Sequence, residues 1–153
     1  LLNNEMDDFS VQQGAANVYG LIGGEANSIQ PKKRPLSSMT PTIVLQGDRP
    51  VLIVGASGGP RIINATLQTL LNALDFGMPI DKAVESPRIH HQWMPNELVV
   101  EDEVPPNTRT SLERRGHTMK ERESLGVVQA ILVKRGRVST QADPRKQKAR
   151  SDP

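Results

Sequence analysis

The sequence predicts an α+β domain, with antiparallel sheet and helices kept apart, and three features predict it. Two apolar runs, Thr42 to Leu45 and Val51 to Val54, flank Gln46-Gly47-Asp48-Arg49-Pro50, which has the turn chemistry of a β-hairpin. Ile63, Leu67, Leu70, Leu71 and Leu74 recur at helical spacing. Near the other end, Val127 to Val133 and Arg137 to Thr140 close around Lys134-Arg135-Gly136 as a second hairpin. Strands at both ends with helices between them put helix layers against sheet.

In chain order, Leu1-Leu2 reads as the end of a strand that breaks into a polar turn at Asn3-Asn4. On this reading the chain is expected to open in mid-strand and to carry no signal peptide, as a mature subunit cut from a precursor would. Residues 12–33, rich in Gly, Asn and Ala with no sustained period, form a long loop, and loops of that length inside compact domains are functional or disordered. Arg34-Pro35 and Thr40-Pro41 forbid helix on either side of Leu36-Ser37-Ser38-Met39, so the two serines lie on an extended segment that feeds the first strand. The second strand runs into Gly55-Ala56-Ser57-Gly58-Gly59, Pro60 suits the first turn of the long helix, and Gly77 ends it. The Ile63-to-Leu74 stripe is expected to face the core. Asp81 to Glu85 forms a short helix capped by Asp81 and stopped by Pro87. Arg88 to Trp93 and Leu98 to Glu101 read as strands, and Pro105 to Arg115, closed by Gly116, as a helix.

Composition bounds the function. The 153 residues suffice for one core, yet only 36% are apolar and 3% aromatic, against 12 glycines and 12 prolines. A chain so poor in core-forming bulk is expected to complete its core against another polypeptide. The net charge of +2 gives no global basic field. Positive charge gathers in Lys134-Arg135-Gly136-Arg137 and in Arg145-Lys146-Gln147-Lys148-Ala149-Arg150, a solvated tail over residues 146–153 rather than a nucleic-acid patch, because no aromatic is interleaved for stacking. No apolar run approaches the roughly 18 residues of a membrane span. Cysteine is absent, which excludes disulfides, thiol catalysis and thiolate metal sites.

Three clusters carry candidate chemistry. Glu5, Asp7 and Asp8 supply carboxylates that suit an ammonium ion or plain surface charge; a metal site is disfavoured, since no histidine follows at ligand spacing. Ser37 and Ser38 offer donors that converge on one anion, such as a carboxylate, or simply belong to a turn. Gly58-Gly59, between strand and helix, lets backbone N–H groups approach a ligand at a helix N-terminus, as an oxyanion hole does, or serves the turn alone. A phosphate loop fits less well, having no Walker lysine. His90 and His91 point to opposite faces of a strand, which leaves one packed and one exposed rather than a chelating pair. Asn64-Ala65-Thr66 matches a glycosylation sequon but falls inside the predicted helix.

Acidic patch, serine pair and glycine pair, in that order and joined by Asn17-Val18-Tyr19-Gly20-Leu21-Ile22-Gly23-Gly24-Glu25-Ala26-Asn27, resemble the small-subunit core of the gamma-glutamyltranspeptidases from Leu1 to about Arg145. The resemblance implies part of an N-terminal nucleophile hydrolase, an αββα sandwich of stacked antiparallel sheets between helix layers, spanning residues 1–145. It implies a glutathione hydrolase and gamma-glutamyl transferase that cuts its own precursor and works without a cofactor, in the periplasm or outside the cell. Its partners would be a large subunit from the same precursor, glutathione or other gamma-glutamyl donors, and amino-acid or dipeptide acceptors.

By resemblance, Asp8 grips the donor's α-amino group with Glu5 assisting, Ser37 and Ser38 bind its α-carboxylate, and Gly58 and Gly59 form the oxyanion hole. Residues 12–33 match a lid that carries Tyr19. Pro60 departs from the serine common in the family. The family's nucleophile, a threonine freed at a new N-terminus, lies upstream of the Asn3-to-Asp8 segment and matches no residue here, so this fragment alone is expected to bind without turnover. Two other readings stand beside this one: a cephalosporin acylase acting on glutaryl amides, and a non-catalytic module that binds a ligand or pairs with a subunit. Free-amine recognition by Asp8 speaks against the acylase, because a glutaryl group has no amine.

Overall fold

A computed structural model describes residues 3–148, so the predicted strand end at Leu1-Leu2 and the last five residues of the basic tail lie outside it. A four-stranded antiparallel sheet, ordered β1-β2-β6-β7, combines the two predicted hairpins: β1 (Thr42–Gln46) with β2 (Arg49–Ser57), and β6 (Val127–Lys134) with β7 (Arg137–Ala142). The strands run beyond the apolar runs because pairing continues through Ser57↔Val127 and Gln129↔Ala142. Pro50 enters β2 where the register shifts between Val44 and Leu45, a place where a strand tolerates a missing N–H.

Register decides which side chains are buried together. Val44↔Leu52↔Leu132 and Val54↔Ala130 stand on one face, packed against α1 (Arg61–Leu74) and α2 (Ile80–Glu85) around Ala65, Ala73, Ala83 and Val84. The opposite face carries Ile43↔Ile53↔Ile131 in one cross-strand row, with Ile43 65% exposed. An apolar row on the uncovered side of a sheet is where the second sheet of a sandwich stands.

The helix forms where its period predicts, but its phase differs. Ile62, Ala65, Thr66, Thr69 and Ala73 are buried, whereas Ile63 and Leu67 are about half exposed and Leu70 and Leu74 flank the core. Small Ala and Thr side chains let α1 lie close to the sheet, so the buried arc is centred on them and the larger residues fall to one side. Asp81 is not the cap of α2: that position is held by Pro79, and Asp81 sits inside the first turn, where its charge faces the positive end of the helix.

A second, three-stranded sheet is ordered β3-β4-β5. Of the predicted strand from Arg88 to Trp93, only β3 (Ile89–His90) pairs, antiparallel with β4 (Leu98–Glu101). β5 (Met119–Arg122), unforeseen because Lys120-Glu121-Arg122 are exposed and charged, pairs with β4 in parallel. α3 (Pro106–Arg114) closes this unit, with Leu112 against Leu98, Val100 and Val104.

The two sheets are tied by a buried polar network. Glu101, fully buried, accepts from the backbone N–H of Arg88 (2.9 Å) and Leu125 (2.7 Å) and from Arg145 Nε and Nη2 (2.9 and 2.6 Å). Arg88 pairs with Asp143 at 2.9 Å and donates to the carbonyls of Val84 and Gly126. Burial alone would push the Asp143 carboxyl up, but the Val128 N–H and the Arg88 guanidinium together hold it below the ordinary carboxylate value. Arg145, the first residue of α4 (Arg145–Lys148), is therefore core, while Lys146, the next residue of the basic run, is exposed. A guanidinium can be buried where its donors all find acceptors, and here two carboxylates and the carbonyls of Val84, Glu85 and Ser86 supply them.

Candidate active site

The loop over residues 12–33 carries no strand or α-helix, as predicted, but it is held to its surroundings by side-chain amides. Asn17 donates to the Asp7 carbonyl (3.3 Å) and accepts from the N–H groups of Tyr19 and Leu21. The Asp7 carboxylate accepts from the Val18 N–H (3.1 Å), so that acid is used inside the fold. Asn27 donates to the Asp8 carbonyl at 2.6 Å and accepts from the Leu36 N–H at 2.9 Å, while its own carbonyl accepts from the Ser10 N–H. One asparagine thus joins the acidic segment to the serine segment.

Between those segments lies a cavity of about 370 Å³ that Asp8 and Ser38 both line, along with Phe9, Ser10, Trp93 and Met94. Ser38 is half-buried; Ser37 is exposed, and its Oγ accepts from the Met39 N–H. Glu5 is also exposed, in a 3₁₀ turn over Glu5–Asp8, and neither Glu5 nor Ser37 reaches the cavity. Of the acids and serines singled out in the sequence, the structure brings Asp7, Asp8 and Ser38 to the cavity, with the Asp7 carboxylate engaged by the Val18 N–H, and leaves Glu5 and Ser37 at the edge. The arrangement suits a zwitterion, with a carboxylate for the ammonium end and a hydroxyl for the acid end.

Gly58 and Gly59 make the turn from β2 to α1 and stand outside that cavity. Gly58 has φ +143° and Gly59 φ +60°, and a Cβ on Gly58 would lie 2.9 Å from the Gly126 Cα. Arg88, bonded to the Gly126 carbonyl, carries the buried network to the back of this turn. A Cβ on Gly59 would lie 2.8 Å from the Tyr19 ring, so the ring rests on the glycine backbone. Among the described residues, the N–H groups of Gly58 and Gly59 donate to no acceptor, and Pro60 has none to offer.

Gln92 joins the two places. Its amide lines the large cavity, donates to the carbonyls of Tyr19 (3.2 Å) and Met94 (3.1 Å), and meets His90 Nε2 at 3.0 Å. His90 is buried and His91 exposed. His90 Nδ1 also meets the Asn64 amide at 2.6 Å; burial first, then the nearby Arg61 and Arg122 cations, hold this imidazole below its ordinary value despite the Gln92 bond. A neutral ring bonded to two amides is a strut. Asn17, Asn27 and Gln92 escape sequence reading because amides in Gly-rich or His-rich stretches look like any loop residue. No group of three or more potential metal ligands occurs among the described residues.

Solved structures of gamma-glutamyltranspeptidases superpose on the chain, which places it in the N-terminal nucleophile hydrolase fold class. A sequence model described as gamma-glutamyltranspeptidase matches residues 1–152, and the chain belongs to that family. A glutathione hydrolase proenzyme of Escherichia coli is 47% identical over 146 residues, which make up 95% of this chain and 25% of that protein. The chain thus spans about a quarter of the curated relatives it matches. The crystal structure of a mutant Helicobacter pylori gamma-glutamyltranspeptidase aligns with a TM-score of 0.89 at 45% identity, covering 95% of this chain and 81% of that one. A cephalosporin acylase from Bacillus halodurans aligns at TM-score 0.71 and 25% identity, over 78% of this chain and 23% of that one.

Proposed function

We propose that the chain is the greater part of the small subunit of a glutathione hydrolase and gamma-glutamyl transferase, and that it supplies the donor pocket and the oxyanion donors. The observation that carries the reading is that Asp8 and Ser38, thirty positions apart in the sequence, line one cavity and are clamped by Asn27. Asp8 accepts from the α-ammonium of the donor, Ser38 donates to its α-carboxylate, and the cavity holds the intervening methylenes against Phe9.

The hydroxyl of an N-terminal threonine, supplied from outside this chain, attacks the γ-amide carbonyl and passes its proton to the threonine's own amine. Negative charge develops on the carbonyl oxygen, and the unengaged N–H groups of Gly58 and Gly59 answer it; one such donor is worth about 3 kcal/mol. The C–N bond breaks, the proton goes to the leaving amine, and the γ-glutamyl ester is then taken by water or by the amine of an acceptor. Tyr19 and its loop close over the glycine turn. A large subunit packs on the uncovered Ile43-Ile53-Ile131 face, and the processed enzyme works in the periplasm or outside the cell.

The acylase reading differs in one group, the α-amine. Steady-state assays of the processed enzyme with γ-glutamyl anilide and with glutaryl anilide separate the two. Preference for the γ-glutamyl compound supports the proposal; equal or better turnover of the glutaryl compound overturns it.

A further inference from the structure

A second, smaller cavity of about 140 Å³ lies across Gln92 from the first and is lined by Tyr19, Arg61, His90, Gln92, Lys120 and Arg122. Three cations and one carboxylate line it. Lys120 is matched by Glu97 at 3.3 Å, but the guanidinium groups of Arg61 and Arg122 make no hydrogen bond or ion pair among the described residues. Arg61 Nε is buried and bonded to nothing. Arg61 is also the first residue of α1, so its charge sits at the positive end of that helix, where a cation is disfavoured. Burial, then the nearby Arg122 cation, pulls the Arg61 guanidinium below its ordinary value. Two unpaired guanidinium groups beside one cavity, one with an orphaned buried donor, are the arrangement that an anion relieves.

Size and position narrow the anion. The cavity has the volume of roughly four to five waters at about 30 Å³ each, enough for one terminal glycine unit. It adjoins the glycine turn through Tyr19, whose ring rests on Gly59, two residues before Arg61. A donor with its head between Asp8 and Ser38 and its amide at Gly58-Gly59 has its other end on this side. We propose that Arg61 and Arg122 bind the terminal carboxylate of the peptide or amino acid on the far side of the reacting amide, as leaving group or as acceptor. Planar guanidinium groups suit a carboxylate better than a lysine does. The inference rests on the function proposed above.

The test uses the processed enzyme with γ-glutamyl anilide as donor and two acceptors, glycylglycine and glycylglycinamide, which differ only in the terminal carboxylate. For Arg61→Gln, and separately for Arg122→Gln on the exposed strand β5, the ratio of KM for glycylglycine to KM for glycylglycinamide is expected to rise about tenfold, the loss of a hydrogen bond to a charged group. A ratio unchanged in both variants overturns the proposal, as does a defect seen only in the yield of assembled enzyme, which would assign the arginines to an acidic surface of a partner. If the wild-type enzyme releases no anilide, the donor reading fails instead. Calorimetry of the two dipeptides then decides: glycylglycine bound about tenfold more weakly by Arg61→Gln, with the amide unaffected, supports the anion site, and equal binding of both dipeptides by wild type and variant overturns it.

Discussion

Asn27→Ala tests whether the pocket is held together by the amide that joins its two walls. The substitution removes the 2.6 Å bond to the Asp8 carbonyl and the 2.9 Å bond from the Leu36 N–H. The first is part-buried and worth about 1 kcal/mol; the second is exposed, where water replaces much of it, and contributes less. A loss between about 1 and 2 kcal/mol corresponds to a roughly 5- to 30-fold change in an equilibrium constant. Because Asn27 holds the segments that carry Asp8 and Ser38 and is not proposed to touch the reacting carbonyl, the loss is expected in donor KM, with kcat within about twofold. Asn27→Asp keeps the acceptor for Leu36 but sets an anion against the Asp8 carbonyl, and should be at least as impaired. Steady-state kinetics on γ-glutamyl anilide, with thermal melts as a control for folding, read both variants. An Asn27→Ala enzyme with unchanged KM refutes the clamp, as does a fall in kcat with KM untouched.

Three further outcomes follow from the geometry. Glu101→Gln turns an NH₂ toward donors that now meet a fully buried carboxylate, and should cost about 3–5 kcal/mol, seen as loss of folded enzyme or a lowered Tm; Glu121→Gln, at an exposed pair with Arg109, should change stability by less than about 1 kcal/mol, and equal effects would contradict the ranking. Gly59→Ala puts a methyl into the Tyr19 ring at a backbone φ of +60°, so proteolysis within residues 12–33 should quicken and kcat fall, whereas an unchanged digestion pattern would detach Tyr19 from the turn. His90 has its folded value below the ordinary 6.5, so its contribution is full above that value and is lost as pH falls through the folded value; urea midpoints that drop below pH 6.5 in wild type, but less in His90→Gln, show this, and parallel pH profiles would contradict it.

Elements whose pattern is local were legible in the sequence. Both hairpins announce themselves by Gly47-Asp48 and Arg135-Gly136 between apolar runs, and α1 (Arg61–Leu74) lies between Pro60, its N-cap, and Gly77. Its face was misread because Ile63 and Leu67 are large and Ala65, Thr66 and Thr69 are small, while burial follows the distance between helix and sheet. β5 was hidden because only one of its edges is paired and its residues are solvated. The burial of Arg145 had no signal in the sequence, because a charge reads as exposed until its partners, Glu101 and Asp143, are known. At the site, residue type marked Asp8 and Ser38, but the amides that place them carry no pattern of their own. Nor could spacing show that Ser37 and Glu5 would face outward while their neighbours faced the cavity.

The central claim is that Asp8 recognises a donor's α-ammonium, and the most direct measurement is the kcat/KM of Asp8→Asn on γ-glutamyl anilide relative to glutaryl anilide. Removing a half-buried charge from such a pair should cost about 2 kcal/mol, so a fall of roughly 30-fold is expected for the γ-glutamyl compound. Turnover of the glutaryl compound, which offers no amine, should fall far less or rise. Equal losses on both substrates would mean that Asp8 supports the fold and not the ligand, and would contradict the account.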